Sequence, residues 1–362
     1  MLVGLFLTLF VAYLFYVLVL PQIELGLYQL QNPKRKTLPP GFEMKWTNRF
    51  LLRTCEFLFV GWFFYFGASI GSFLNVVAHR VPEGRTIVFG GSKCPYCDTH
   101  LGFIDNTPVL GWLYLQAKCR TCRLPIAPRY LLIEVATGLT FMWLALWELV
   151  RGGTNLANWN FTGRAGVVNT ILDPSWPLIG IYVVHAAMFG VMIMLATANV
   201  GRKPFPIFSL IVIALALASS KIVNPQLDLV AWYRPFAESG LNGIGPFGNP
   251  ACSILIGGLL GGVIGWLSSH VFARRFGTIV GRHWSLQCIL VGSVLGWQSV
   301  LTIVVLSLIV YGALRWGFRL LQSRPSSVSL SNQSIGLNAC LIGTALVYLS
   351  FWSPISRFLG LC

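Results

Sequence analysis

Apolar residues run on at bilayer-crossing length near positions 2 to 20, 57 to 78, 131 to 150, 178 to 198, 205 to 220, 253 to 273 and 335 to 352. A hydrocarbon core takes roughly 17 to 25 residues of helix, so each run predicts a transmembrane helix. A further run, 284 to 315, is too long for one. Gly296, Trp297 and Gln298 in its middle offer a turn, which predicts two shorter helices, about 284 to 296 and 298 to 315. The expected fold is an all-α polytopic membrane protein with about nine transmembrane helices. One long polar stretch, residues 80 to 130, interrupts it.

Composition agrees with this pattern. A chain of 362 residues that is 55% hydrophobic and only 10% charged excludes a soluble globule with an ordinary polar surface. The expected division is an extra hydrophobic segment and basic loop (1–56), a transmembrane helix (57–79), a cysteine-bearing polar domain (80–130) and a multi-helix membrane domain (131–362). The 26 Lys and Arg against 11 Asp and Glu give +15, which in a membrane protein marks cytoplasmic loops beside anionic lipid. On that rule Arg80, Arg85, Lys93, Lys118, Arg120, Arg123 and Arg129 lie on the cytoplasmic side with Arg202, Arg274, Arg282 and Arg315. Residues 21 to 55 resist the assignment, because two simple spans would put Lys34, Arg35, Lys36, Lys45, Arg49 and Arg53 outside. The opening run lacks the positive flank of a cleaved signal peptide. No internal repeat is visible in the letters.

Nine cysteines are present. Cys55, Cys252, Cys288, Cys340 and Cys362 stand singly in or beside apolar runs, where a free thiol is commonly a small hydrophobe. The other four form Cys94-Pro-Tyr-Cys97 and Cys119-Arg-Thr-Cys122, separated by residues 98 to 118, close to zinc-ribbon spacing. A two-residue gap lets both thiolates of a knuckle turn toward one point, and two knuckles complete a tetrahedral site with bonds of about 2.3 Å. In a reducing compartment the disulfide alternative is weak. Cys94, Cys97, Cys119 and Cys122 are therefore the expected zinc ligands, with a redox pair or unmetallated thiols as the alternatives. Four protein ligands leave no open position, so the metal is expected to be structural.

Around the knuckles stands an ordered series: Gly71-Ser-Phe-Leu-Asn75 at the end of a membrane helix, Arg80-Val-Pro82, the two cysteine pairs, Asp105-Asn-Thr-Pro-Val-Leu-Gly-Trp112, and Pro128-Arg-Tyr130 through Glu134. This series closely resembles the amino-terminal region of the bacterial type IV prepilin peptidases. The resemblance implies an inner-membrane protein of the type IV pilus and type II secretion class, with the four-cysteine domain cytoplasmic. It also implies prepilin or pseudopilin partners, leader cleavage by an intramembrane aspartyl pair and, in many members, methylation of the new amino terminus with S-adenosylmethionine. No Gly-rich loop or acidic ribose contact of the common S-adenosylmethionine folds is present. That cofactor rests on the resemblance alone.

The family's aspartates lie in Asp-x6-Pro-Asp and Gly-x-Gly-Asp segments, and they share one proton so that one acts as base and the other as acid. Gly257 to Trp266 and Val291 to Gln298 resemble the helices flanking the second aspartate. Counting back, the tetrad falls on Gly281-Arg-His-Trp284, which puts Trp284 at the acid position, or His283 after a slip of one. With Pro206 as the motif proline, Asn199 and Ile207 take the first-segment positions; with Pro204, Thr197 and Phe205 do. Past residue 150 only Asp173, Asp228 and Glu238 are acidic, all in expected loops on the non-cytoplasmic side. The expectation is a divergent relative that keeps the scaffold and zinc domain, has lost the protease activity and contains no catalytic residue.

Gly67, Gly71 and Ser72 put small residues on one helix face, as close packing in a membrane requires. Pro82 ends that helix, leaving Asn75, His79 and Arg80 at the exit as candidate contacts for head groups or substrate. His185 and Asn199 fall on a similar helix face and are candidates to line a polar cavity, against one ordinary interhelical hydrogen bond. A reading from another class is a membrane-anchored zinc ribbon for assembly or nucleic-acid contact, with Arg120, Arg123 and Arg129 near the second knuckle. The helical register in 253 to 298 has no reason to exist in a mere anchor, and nucleic acid is not the expected partner. A transporter would carry ionisable groups at mid-bilayer, and the spans hold almost none.

Overall fold

The computed structural model describes residues 2–31, 45–88, 91–156, 166–198, 205–223, 250–276, 278–321 and 330–358. Its described elements are helices and loops, with two isolated β-bridges and no longer strand. The chain divides into two compact units, one comprising residues 1–69, 91–152 and 163–175, the other 70–90, 153–162 and 176–362.

In the first unit α1 (Leu2–Leu14) continues through a π-helical turn, Phe15–Val19, into α2 (Leu20–Gln31). Helix α3 runs Trp46–Arg80, beginning well before the expected start at residue 57. The reason is that its polar first turns are paired. Arg53 bonds the Glu24 carboxylate and lies 3.2 Å from Glu56, whose carboxylate also accepts the Tyr16 hydroxyl at 3.1 Å. Tyr13 sets its hydroxyl 3.1 Å from that of Thr54 and its ring edge-on to Phe57. Arg53 is thus a paired helix residue, which removes one of the charges that made residues 21 to 55 anomalous. Lys34, Arg35 and Lys36 lie outside the described residues.

Helix α5 (Pro128–Leu144) follows a short α4 (Leu110–Tyr114) and closes in a second π-helical turn, Ala145–Val150. Pro128 opens α5 in the one helical turn where a missing N–H costs nothing. The expected close packing is present. A Cβ on Gly67 would come within 2.6 Å of Phe141 Cβ, and one on Gly138 within 2.8 Å of the Phe64 carbonyl oxygen. Glycine at both places lets α3 and α5 approach backbone to backbone. Helix α6 (Val167–Leu172) completes this unit.

The second unit contains α7 (Trp176–Ala198), α8 (Ile207–Val223), α9 (Pro250–Phe276), α10 (Thr278–Leu295), α11 (Trp297–Leu321) and α12 (Leu330–Phe358). The break expected near Gly296 occurs there. Gly296 takes φ +95°, which only glycine adopts without strain, and separates α10 from α11. Helices α9 and α10 meet along a seam of small residues: a Cβ on Gly257 would collide with the Gly292 carbonyl, one on Gly261 with the Cys288 carbonyl, and one on Gly265 would stand 2.7 Å from Ser285 Cα. The last part of α3 packs here too, with Ala78 in a buried cluster with Met194, Leu195, Ala198, Phe205 and Leu210.

The protein is an all-α polytopic membrane protein. Among the described residues, six stretches are long and apolar enough to cross a bilayer: Leu7–Leu30, Trp46–Arg80, Pro128–Val150, Trp176–Ala198, Ala251–His270 and Trp297–Gly317. The other expected spans are helical but less suited to lipid. Helix α8 has 17 residues, α10 carries Arg282, His283 and Gln287, and the apolar part of α12 is Gly336–Trp352.

Candidate metal centre

The two cysteine knuckles are one backbone motif used twice. In the first, the Cys94 N–H donates to the Thr99 carbonyl at 3.0 Å and the Asp98 N–H to the Cys94 carbonyl at 3.0 Å. In the second, the Cys119 N–H donates to Leu124 at 2.9 Å and the Arg123 N–H to Cys119 at 3.1 Å. Asp98 and Arg123, each just past the second cysteine, share positive φ of 52° and 59°. The bridges Lys93 to His100 and Lys118 to Pro125 match in the same way. Every pair is offset by 25 positions (94 to 119, 98 to 123, 100 to 125). The sequence therefore holds an internal repeat after all, hidden because, besides the cysteines and the lysine before each knuckle, most of its side chains differ.

These knuckles bring all four sulfurs together, each within 4.8 Å of the others, with Cys94 and Cys119 buried. Cys94 Sγ lies 3.8 Å from Cys122 Sγ, and Cys97 Sγ lies 3.9 Å from Cys119 Sγ. A tetrahedron with metal–sulfur bonds of about 2.3 Å has edges of about 3.8 Å. The cluster fits a zinc-type ion and leaves no ligand position open. The four thiols are not equivalent. The Thr99 hydroxyl and backbone N–H favour the Cys97 thiolate and lower its pKa to about 6. Backbone N–H groups of Cys122 and Thr121 lower Cys119. Cys122 receives help from the Leu124 N–H, yet burial and shared protons with the other three thiols push it up to about 11.

The loop between the knuckles is pinned at both ends. Arg120 lies over the Tyr114 ring at 5.7 Å and sets its Nε 3.1 Å from both Asp105 oxygens, and this contact raises the guanidinium further above its ordinary pKa. Trp112 donates its indole N–H to the Ile126 carbonyl at 3.3 Å. Deeper in, the Val109 N–H donates to the Glu134 carboxylate of α5 at 2.7 Å. Two of the three arginines expected to face phosphates are engaged within the protein, Arg120 as described and Arg129 over the Tyr130 ring at 5.2 Å.

In the second unit, Trp284 is fully buried and donates its indole N–H to Ser268 on α9 at 2.8 Å. Next to it, His283 is also fully buried; its Nε2 accepts the Phe205 N–H at 3.2 Å, and the ring has a backbone hydrogen bond to Leu195. One turn on, Gln287 donates to the Met192 carbonyl at 3.2 Å. Thr197 turns its hydroxyl back to its own helix, onto the Met194 carbonyl at 2.7 Å. His185 is fully buried, whereas Asn199 lies outside the described residues. Asn75 is 3% exposed, and its amide oxygen and nitrogen have no hydrogen-bond partner among the described residues.

Sequence reasoning passed over Glu148, which is fully buried in the π-helical turn ending α5. Its signal was available: an acid inside an apolar run is costly and rarely idle. The partnership of Val109 and Glu134, by contrast, joins residues far apart in the chain and leaves no local pattern.

Residues 65–148 match the bacterial peptidase A24 N-terminal domain. A prepilin leader peptidase/N-methyltransferase of Myxococcus xanthus is 49% identical over 84 residues, 23% of this chain and 25% of that protein. One from Klebsiella pneumoniae is 44% identical over 92 residues, covering 24% of this chain and 40% of the relative. One from Aeromonas hydrophila is 35% identical over 107 residues, covering 23% and 37%. The chain thus spans a quarter to two fifths of the length of these curated relatives. No solved structure matches it.

Proposed function

We propose that this chain, whose residues 65–148 match the bacterial peptidase A24 N-terminal domain, is a prepilin peptidase-like protein of the bacterial inner membrane that engages prepilin or pseudopilin segments without cutting them. The observation that carries the reading is the hydrogen bond from the Phe205 N–H to His283. It sets the Gly281 to Trp284 tetrad against the segment around Pro206, the two places where the family register puts its catalytic acids. Trp284 or His283 takes the one acid position, Asn199 and Ile207 or else Thr197 and Phe205 take the others, and no acid occurs between Asp173 and Asp228 or after Glu238. A carboxylate near the bilayer centre costs on the order of 3 kcal/mol, so a scaffold relieved of proteolysis gains stability by losing it.

In this reading the four-cysteine domain lies on the cytoplasmic side, in keeping with its basic flanks. Cys94, Cys97, Cys119 and Cys122 would hold zinc, which supplies folding energy to the domain and no chemical step. The buried, unpartnered Asn75 amide is suited to pair with the backbone of a bound segment. Methyl transfer with S-adenosylmethionine belongs to the reading only through the relatives' names.

The test is co-expression with the host's prepilin-like proteins in a strain lacking prepilin peptidase, with leader removal and amino-terminal methylation read by mass spectrometry. The expected result is uncut leader on every substrate. A correctly shortened product would overturn the proposal and require another pair of groups to perform the hydrolysis.

A further inference from the structure

Phe103 is 90% exposed and Ile104 59% exposed, although both lie in the polar stretch outside every membrane span. Their backbone is held firmly. The Asn106 N–H donates to the Gly102 carbonyl at 3.0 Å, the Thr107 hydroxyl to the Phe103 carbonyl at 3.0 Å, and Asp105 between them is locked to Arg120. Gly111 packs beneath, where a Cβ would stand 3.0 Å from the Ile104 carbonyl oxygen. Two large apolar side chains are thus displayed on a rigid turn.

The depth of this turn follows from α5. Arg129 and Tyr130, stacked at the start of that helix, are the residue types that mark a water–lipid boundary. Glu134 lies one turn further in, about 6 Å along the axis. Its bond to the Val109 N–H fixes the foot of the turn at that level, beside a helix that crosses the membrane. Charge points the same way. Apart from the Arg120–Asp105 pair, residues 91 to 130 carry Lys93, Lys118, Arg123 and Arg129 against Asp98, a balance suited to anionic lipid.

We propose that the Phe103–Ile104 turn is a membrane anchor, inserting both side chains into the interfacial layer of the bilayer beside α5. Phe and Ile on a basic, membrane-tethered domain gain apolar burial there while the flanking cations meet head groups. The domain is then fixed to the lipid surface at a third point, in addition to the two helices that tether it. This proposal rests on the membrane fold and is independent of whether the chain handles prepilins.

The experiment uses the full chain in native membranes with Phe103→p-benzoylphenylalanine, and separately Ile104→p-benzoylphenylalanine. Both residues are exposed, so neither replacement disturbs packing. The same probe at Leu132, 65% exposed on α5, gives the reference yield of lipid adducts. After irradiation, mass spectrometry should find acyl-chain adducts at 103 and 104 within about threefold of the yield at 132. Adducts at 132 with none at 103 or 104 would overturn the proposal. Adducts at 103 and 104 exclusively to another polypeptide would overturn it too, and would make the turn a protein-docking site.

Discussion

The Val109 N–H donates to the Glu134 carboxylate at 2.7 Å while Val109 occupies the centre of a γ-turn, with φ +62° and ψ −54°. The turn closes through the Leu110 N–H and the Pro108 carbonyl at 2.6 Å. A β-branched residue there is strained, so the carboxylate, 8% exposed, is what holds the loop in place.

Glu134→Ala should therefore weaken the four-cysteine domain by about 1 kcal/mol, toward the lower end of the cost of leaving an N–H unmet, because this one is only half-buried. Glu134→Gln keeps an acceptor and should lose less. Adding Val109→Gly to the alanine variant removes the strain and should recover part of the loss. Protease resistance of residues 91 to 127 against temperature measures all three; equal stability of wild type and Glu134→Ala would refute the role.

Metal content should be one zinc per chain by mass spectrometry of the purified protein. Replacing any one of Cys94, Cys97, Cys119 or Cys122 with Ser should abolish it, as should a strong chelator. Chelation should open the knuckles to protease and leave the α9–α10 pair intact, because the glycine seam there owes nothing to metal.

Immediately after chelation, while the knuckles still hold their fold, the thiols should react in a fixed order. Cys97, lowered to about 6 by Thr99, is a thiolate near neutral pH, whereas Cys122, at about 11, is not. Iodoacetamide near neutral pH should mark Cys97 well before Cys122, read peptide by peptide. The depressed group is available above its pKa and lost as pH falls through about 6, so metal retention should decline as pH falls through that region. First reaction at Cys122 would show that the Thr99 contact does not act this way.

Along α9, neighbouring glycines should behave differently. Gly257→Ala drives a methyl into the Gly292 carbonyl, whereas Gly258→Ala meets only Ser293 Cβ at 3.8 Å. The first should cost about 1–3 kcal/mol by overpacking, and the second should be neutral or slightly stabilising through better helix propensity. Thermal unfolding in detergent compares them directly.

How much of this was legible in the sequence depended on whether the signal was local. Length and polarity gave the helical membrane fold, Gly296 gave the break between α10 and α11, and the two Cys-x2-Cys pairs gave the four-sulfur cluster. Gly67 was readable as a packing residue because small side chains at helical spacing mean close approach. The true start of α3 was not, because Arg53 reads as a loop charge until Glu24 and Glu56 are brought beside it. The repeat in the knuckles was hidden as well, since it resides in backbone hydrogen bonds that many side chains permit.

The Arg53 cluster has a consequence for how the chain is made. The helix synthesised earlier carries Glu24 and Tyr16, and the one synthesised next carries Arg53 and Glu56. Charges of this kind resist entering lipid singly and enter more readily once matched. The two helices are therefore suited to leave the insertion machinery as a hairpin, the earlier one waiting for its successor.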